Sequence, residues 1–152
     1  MPNIATNKKG LSDYQILEKI EAGLVLSGPE VKSVKLSGID LKGSYVSIDG
    51  GGQVWLVGTH VSPYRPAKSA QVGYQANQNR KLLLHQKEID YLRGKQHERG
   101  LTIIPVSVYT KGSLIKVEIG IARGKKQYDK RESIKKREVD RQIRRTLRNK
   151  IL

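Results

Sequence analysis

Apolar residues recur along this chain at two different periods. Tyr14, Ile16 and Ile20 fall on one side at period two, which predicts a strand. Glu21-Ala22-Gly23 then reads as a turn, with Leu24-Val25-Leu26 resuming as a short strand. Ser27-Gly28-Pro29-Glu30 is a helix-start signal: Ser27 can cap, Pro29 suits the first turn, and Glu30 suits the positive end of the dipole. Val31 and Val34 should face inward, Lys32 and Lys35 outward, and Gly38 should stop the helix. Tyr45–Ile48 and Gln53–Val57 flank Asp49-Gly50-Gly51-Gly52 as a hairpin would, the second strand running on through His60 and Val61.

The pattern lapses between Pro63 and Arg80, a loop with two prolines and two tyrosines. A second helix is expected from Gln86, with Ile89 and Leu92 three apart, ending near Gly100. Leu101–Tyr109 and Leu114–Ala122 then alternate as two strands joined at Lys111-Gly112-Ser113. Pro105 has no amide proton to donate, so it should sit at an edge or a bulge. On the last strand Ile115, Val117, Ile119 and Ile121 take the core face, which turns Lys116 and Glu118 outward. About six short strands with two inserted helices, and no strand–helix alternation, predict a mainly β protein. The expected fold is an antiparallel barrel of the oligonucleotide-binding (OB) type.

Three regions are expected: a flexible lead-in at residues 1–12, the barrel at 13–124, and a basic tail at 125–152. Gly124 offers a bend at the junction. The tail carries Val139, Ile143, Leu147 and Ile151 at spacing four, a thin stripe among arginines. It should be disordered alone and helical on a polyanion.

Charge sharpens this picture. The chain carries +15 at pH 7. Thirteen cations against four carboxylates place +9 of that in residues 123–152, and +6 in residues 1–122. A polyanion, nucleic acid first, is the expected partner. The absence of cysteine excludes disulfides, zinc–cysteine sites and thiol nucleophiles. His60, His85 and His97 lack metal-ligand spacing, and Asp49, Glu88 and Glu118 are not grouped for magnesium, so neither enzymatic chemistry nor a cofactor is expected. No apolar run approaches the roughly 20 residues of a membrane helix, and residues 1–9 lack the apolar core of a secretory signal. A cytoplasmic location is expected. Tyr128 between Lys126 and Lys130 could stack on a base while its neighbours hold phosphates.

Five blocks resemble the SsrA-binding protein (SmpB) family: Glu21–Leu26 with Gly28–Ser33, Gly43–Val46, Arg80–His85, Gly120–Lys126 and Tyr128–Arg131. The resemblance implies an OB-type barrel that binds the tRNA-like domain of transfer-messenger RNA (tmRNA) in trans-translation, the rescue of stalled ribosomes. It implies a tail that enters the empty message channel of the small subunit and becomes helical there. It implies a monomer bound one per tmRNA and no chemical step of its own. Carried over by position, Glu21, Leu83 and Lys116 are implied to bind tmRNA, with Glu30 and Lys32 from the same block, and Arg123, Lys125 and Lys126 from the junction. Tyr128, Asp129, Lys130 and Arg131 are implied to engage the decoding centre; Tyr128 stands where many relatives carry histidine. The competing reading is another basic OB-type RNA-binding or ribosomal protein.

Overall fold

The structure is a computed structural model and describes residues 3–66 and 71–125. Its elements are β1 (Asn3–Thr6), α1 (Lys8–Asp13), β2 (Tyr14–Leu24), α2 (Gly28–Lys35), β3 (Ile39–Asp40), β4 (Tyr45–Ile48), β5 (Val54–Val57), β6 (His60–Val61), β7 (Arg80–Leu83), α3 (Gln86–Gln96), β8 (Leu101–Lys111) and β9 (Leu114–Gly124). Seven strands form one antiparallel sheet in the order β1-β8-β9-β2-β7-β5-β4, and β3 pairs with β6 separately. The sheet curls until β4 lies against β8, which partly closes a barrel.

Inside the barrel are Leu56, Ile103, Val108, Val117, Ile119 and Ile121, all essentially inaccessible, with Leu92 of α3 and Val34 of α2 closing on them. Each such side chain contributes about 1.5–3 kcal/mol by leaving water. The period-two expectation for β9 is met: Ile115, Val117, Ile119 and Ile121 are buried and Lys116 and Glu118 lie outside.

Near its C-terminal end β9 is covered on its second face too. A Cβ on Gly120 would stand 3.0 Å from Ile16 Cγ2 and 3.0 Å from Val106 Cγ2. Ala122, Ile104 and Val106 are buried there as well. α1 lies alongside, in contact with β2 and β8.

Several local expectations are corrected. Over residues 1–12, expected to be a flexible lead-in, the described residues from Asn3 onward form β1 and all but the last residue of α1. Asn7 explains this. Its backbone N–H donates to the Val106 carbonyl at 2.8 Å, and its Nδ2 donates to the Pro105 carbonyl at 2.8 Å. Its Oδ1 accepts from Gly10 N–H at 3.0 Å and so caps α1. β8 shifts register between Pro105 and Ser107, the bulge that proline's missing donor required. Asn7, together with the pairing of β1 with β8, therefore holds the N-terminal segment against that bulge.

Glu21-Ala22-Gly23 is not a turn. β2 runs unbroken through it, with Glu21 opposite Glu118, Ala22 opposite Val117 and Gly23 opposite Lys116. Gly124 is likewise the last residue of β9, paired with Tyr14, rather than a bend. Arg80–Leu83, predicted only as a lead into a helix, is β7 and sits between β2 and β5. α2 begins as predicted, with Ser27 Oγ accepting from Glu30 N–H and Glu30 Oε1 accepting from Ser27 N–H. Its end differs. Ser37, not Gly38, takes the left-handed conformation, at φ 64°. The N–H of Ser37 donates to Val34 and that of Gly38 to Ser33, which closes a Schellman motif. Gly38 is small for another reason: a Cβ there would lie 2.8 Å from the Ser33 carbonyl oxygen.

Candidate nucleic-acid interface

Register brings four strands into one outward-facing row. Tyr109 of β8 is opposite Lys116 of β9, Lys116 is opposite Gly23 of β2, and Gly23 is opposite Leu83 of β7. One step along the same face, Ser107, Glu118 and Glu21 form the next row. Three residues singled out from the sequence, Glu21, Leu83 and Lys116, come from distant segments. They line one concavity of about 440 Å³ together with Gly23.

Gly23 is the reason the row can be concave. Without a side chain it lets Leu83 and Lys116 close over its backbone, which is buried. A Cβ there would meet Leu83 Cβ at 3.4 Å and Lys116 Nζ at 3.8 Å. Leu83 is 55% exposed although its neighbour Leu82 is buried, so a large apolar side chain is held against solvent at the floor of the concavity. Lys116 has no hydrogen-bond or ion-pair partner among the described residues, which leaves its ammonium available.

Glu21 is held in place. Tyr109 Oη donates to Glu21 Oε2, and Lys111 Nζ donates to Oε1 at 3.3 Å. The tyrosine hydrogen bond, the largest effect, together with Lys111 and Lys116 keeps its carboxyl below the usual carboxylate range against the opposing push of desolvation. Burial and the Glu21 hydrogen bond push the Tyr109 phenol well above its ordinary value. The face is mixed in sign: Lys19 Nζ lies 3.6 Å from Glu118 Oε1. Further along it, Trp55 of β5 is opposite Lys81 of β7, and the indole N–H donates to Asp49 Oδ2 at 3.0 Å.

The other sequence-predicted residues are not in this concavity. Glu30 is 3% exposed and its carboxylate is occupied within the fold. Its Oε2 accepts from Arg80 Nε at 2.8 Å, Tyr74 Oη at 2.9 Å and Gln78 Nε2 at 3.3 Å. Burial pushes the Glu30 pKa up, but the Ser27, Arg80 and Tyr74 hydrogen bonds outweigh it, and the net direction is down. Direct RNA contact by Glu30 is therefore corrected to an internal role: it fastens the loop containing Tyr74 and Gln78 against α2 and β7. Lys32 is exposed on α2, its ammonium 5.5 Å from the centre of the Tyr64 ring. Arg123 lies exposed seven residues beyond Lys116, about 23 Å away along the strand. Lys125 is exposed beside it, with its N–H donating to the Asp13 carbonyl at 2.8 Å. Lys126, Tyr128, Asp129, Lys130, Arg131 and the predicted tail helix lie outside the described residues.

Sequence reasoning did not single out Gly23, Tyr109 or Lys111. Alternation along β8 turns Tyr109 outward and could have marked its face, but no sequence signal shows that it reaches Glu21. The histidines are dispersed: His60 Nδ1 shares a 2.8 Å hydrogen bond with Asn77 Oδ1, while His85 and His97 flank α3. No helix among the described residues is long and apolar enough to cross a membrane.

A partly closed antiparallel barrel whose outer wall presents an unpaired lysine, an exposed leucine and a tethered carboxylate defines a basic β-barrel protein with a shaped polar surface. Comparison with known proteins makes the class specific. The family model described as SmpB protein matches residues 4–149. An SsrA-binding protein of Sulfurihydrogenibium sp. is 49% identical over 148 residues, covering 97% of this chain and 95% of that protein. One from Thermosipho melanesiensis is 50% identical over 149 residues, covering 97% and 99%. A chain in the solved structure "tmRNA-SmpB: a journey to the center of the bacterial ribosome" superposes with a TM-score of 0.66 at 37% identity, over 80% of this chain and 84% of that one. This chain belongs to the SmpB family.

Proposed function

We propose that this protein binds the tRNA-like domain of SsrA RNA (tmRNA) through the outer wall of β9, β2 and β7 and acts with it on the ribosome in trans-translation. The relatives are named for SsrA binding, and the structural neighbour is a tmRNA–SmpB assembly in the ribosome. The observation that carries the reading is the concave row at Gly23. Lys116 supplies charge for a phosphate, Leu83 an apolar surface for a base, and Glu21 a carboxylate able to accept from base amino groups. Recognition of this kind depends on shape, because the wall carries both signs of charge.

Arg123, Lys125 and Lys126 extend the basic surface toward the tail, and Lys32 adds a cation on α2. Residues 128–131 engage the decoding centre, and the tail to residue 152 occupies the empty message channel. The protein performs no chemical step itself and works in the cytoplasm as a monomer on one RNA.

The test is binding of the full chain to the tRNA-like domain of tmRNA, with excess unstructured RNA as competitor and salt varied. Tight binding that survives competitor at physiological salt supports the reading. Binding abolished by competitor, with a steep salt slope, leaves only a cationic surface and refutes it.

A further inference from the structure

Two carboxylates stand directly opposite each other on the outer wall, Glu21 on β2 and Glu118 on β9. Like charges so placed repel, and each is drawn aside by a partner of its own. Glu118 has Lys19, at 3.6 Å. Glu21 turns the other way, across β9 to β8, where Tyr109 Oη donates to Oε2 and Lys111 Nζ donates to Oε1 at 3.3 Å. Because β9 lies between β8 and β2, this clasp spans two strand spacings, about 10 Å, a gap that the long, stiff tyrosine side chain bridges. Tyr109 is not itself among the described residues that line the concavity, whereas Glu21 is.

We propose that Tyr109 is a positioning residue of this surface: reaching over β9, its phenol holds Glu21 in the orientation in which the carboxylate accepts hydrogen bonds from the RNA, with Lys111 assisting. The proposal rests on the RNA-binding reading of the wall. An exposed glutamate rotates about several bonds, and fixing it only when the RNA arrives would cost binding free energy. The clasp fixes it beforehand. It uses one acceptor position on each carboxylate oxygen, and of the roughly four that a carboxylate offers about two remain for donors of the RNA. The clasp also answers a problem of charge. A free Glu21 would face Glu118 and the phosphates of a bound polyanion, whereas the clasped one is offset by Lys111 and held to one side. A second tyrosine–glutamate bond on the same strand supplies a comparison. Tyr91 of α3 donates to Glu18 of β2, and Glu18 is not among the residues that line the concavity.

The test is a double-mutant cycle in the full chain, read as affinity for the tRNA-like domain of tmRNA. Tyr109→Phe removes only the hydroxyl and should weaken binding about tenfold, with the melting temperature of the protein unchanged. Glu21→Ala should weaken it at least as much. Adding Tyr109→Phe to Glu21→Ala should cause no further loss, because a residue that acts only through Glu21 has nothing left to position. Tyr91→Phe should bind like the parent. An equal loss from Tyr109→Phe with and without Glu21 would mean that the phenol acts on the RNA or the fold directly, and would overturn the positioning role. So would a loss from Tyr91→Phe as large as that from Tyr109→Phe. If Tyr109→Phe binds like the parent while Glu21→Ala and Lys116→Ala bind weakly, the positioning role is wrong and the RNA-binding wall stands. If none of these variants changes the affinity, the wall itself is wrong and the proposal falls with it.

Discussion

Glu30 Oε2 lies 2.8 Å from Arg80 Nε, and both side chains are almost wholly withdrawn from water, at 4% and 2% exposure. Arg80 has further acceptors: its Nη1 donates to the Thr59 and Gln78 carbonyls at 2.8 and 3.0 Å, and its Nη2 to the Ala76 carbonyl at 2.8 Å. Tyr74 Oη donates to Glu30 Oε2 and is itself within 3.1 Å of Arg80 Nη2. The pair ties α2, β7 and the 71–79 segment into one unit. It also anchors β7, whose other end carries Leu83. Removing the carboxylate leaves a buried guanidinium without its counter-charge, so Glu30→Ala should cost about 3–5 kcal/mol of stability. Chemical denaturation of parent and variant measures this, and a loss below about 1 kcal/mol would contradict the internal role.

The same residue sets a pH dependence. The Glu30 pKa is lowered from 4.5 on folding, so its ionised form stabilises the fold at any pH above 4.5. That contribution is lost progressively as pH falls below 4.5 and through the lower folded-state value. Glu30→Gln should flatten the acid limb of the stability–pH curve. An unchanged acid limb would assign the effect to other carboxylates.

Lys116→Ala should weaken tmRNA binding and reduce the slope of log affinity against log salt by about one, with the fold intact. A fluorescence-anisotropy titration at several salt concentrations reads both quantities. An unchanged slope would argue against a phosphate contact.

Gly120 is closed in by Ile16 Cγ2 and Val106 Cγ2, each 3.0 Å from where a Cβ would stand. Gly120→Ala should overpack this second layer and cost about 1–3 kcal/mol. The readout is thermal unfolding with RNA affinity measured below the transition.

Ser37 holds the left-handed position of a Schellman motif where glycine is the usual occupant. Ser37→Gly should relieve that conformation and raise stability by about 0.5–1 kcal/mol, net of the added freedom of the unfolded chain. A lowered midpoint in denaturant would show that the serine side chain contributes more than its strain costs.

Elements whose signal is local were legible before any coordinates. The Ser27–Glu30 capping box needs only four consecutive residues. The β9 alternation needs nine, and the Pro105 bulge follows from one missing proton. Where local signals misled, long-range pairing had overridden them. Gly23 reads as a turn residue, yet it is a strand residue because β9 and β7 pair with it from both sides. β7 has four residues and little propensity of its own, and it exists because β2 and β5 hold it from both sides. Asn7 looks like a residue of a polar lead-in until the Pro105 carbonyl, 98 residues away, gives its amide a partner.

The candidate site divides in the same way. By itself the sequence determined the outward side of β9, the surplus of cations, and the blocks shared with the SmpB family, because alternation, charge and motif are properties of adjacent residues. Only the tertiary structure decided that Glu21, Leu83 and Lys116 share one concavity while Glu30 lies inside the fold. Strand register sets which distant side chains meet, and a carboxylate near a helix start is surface or core according to whether a buried arginine reaches it.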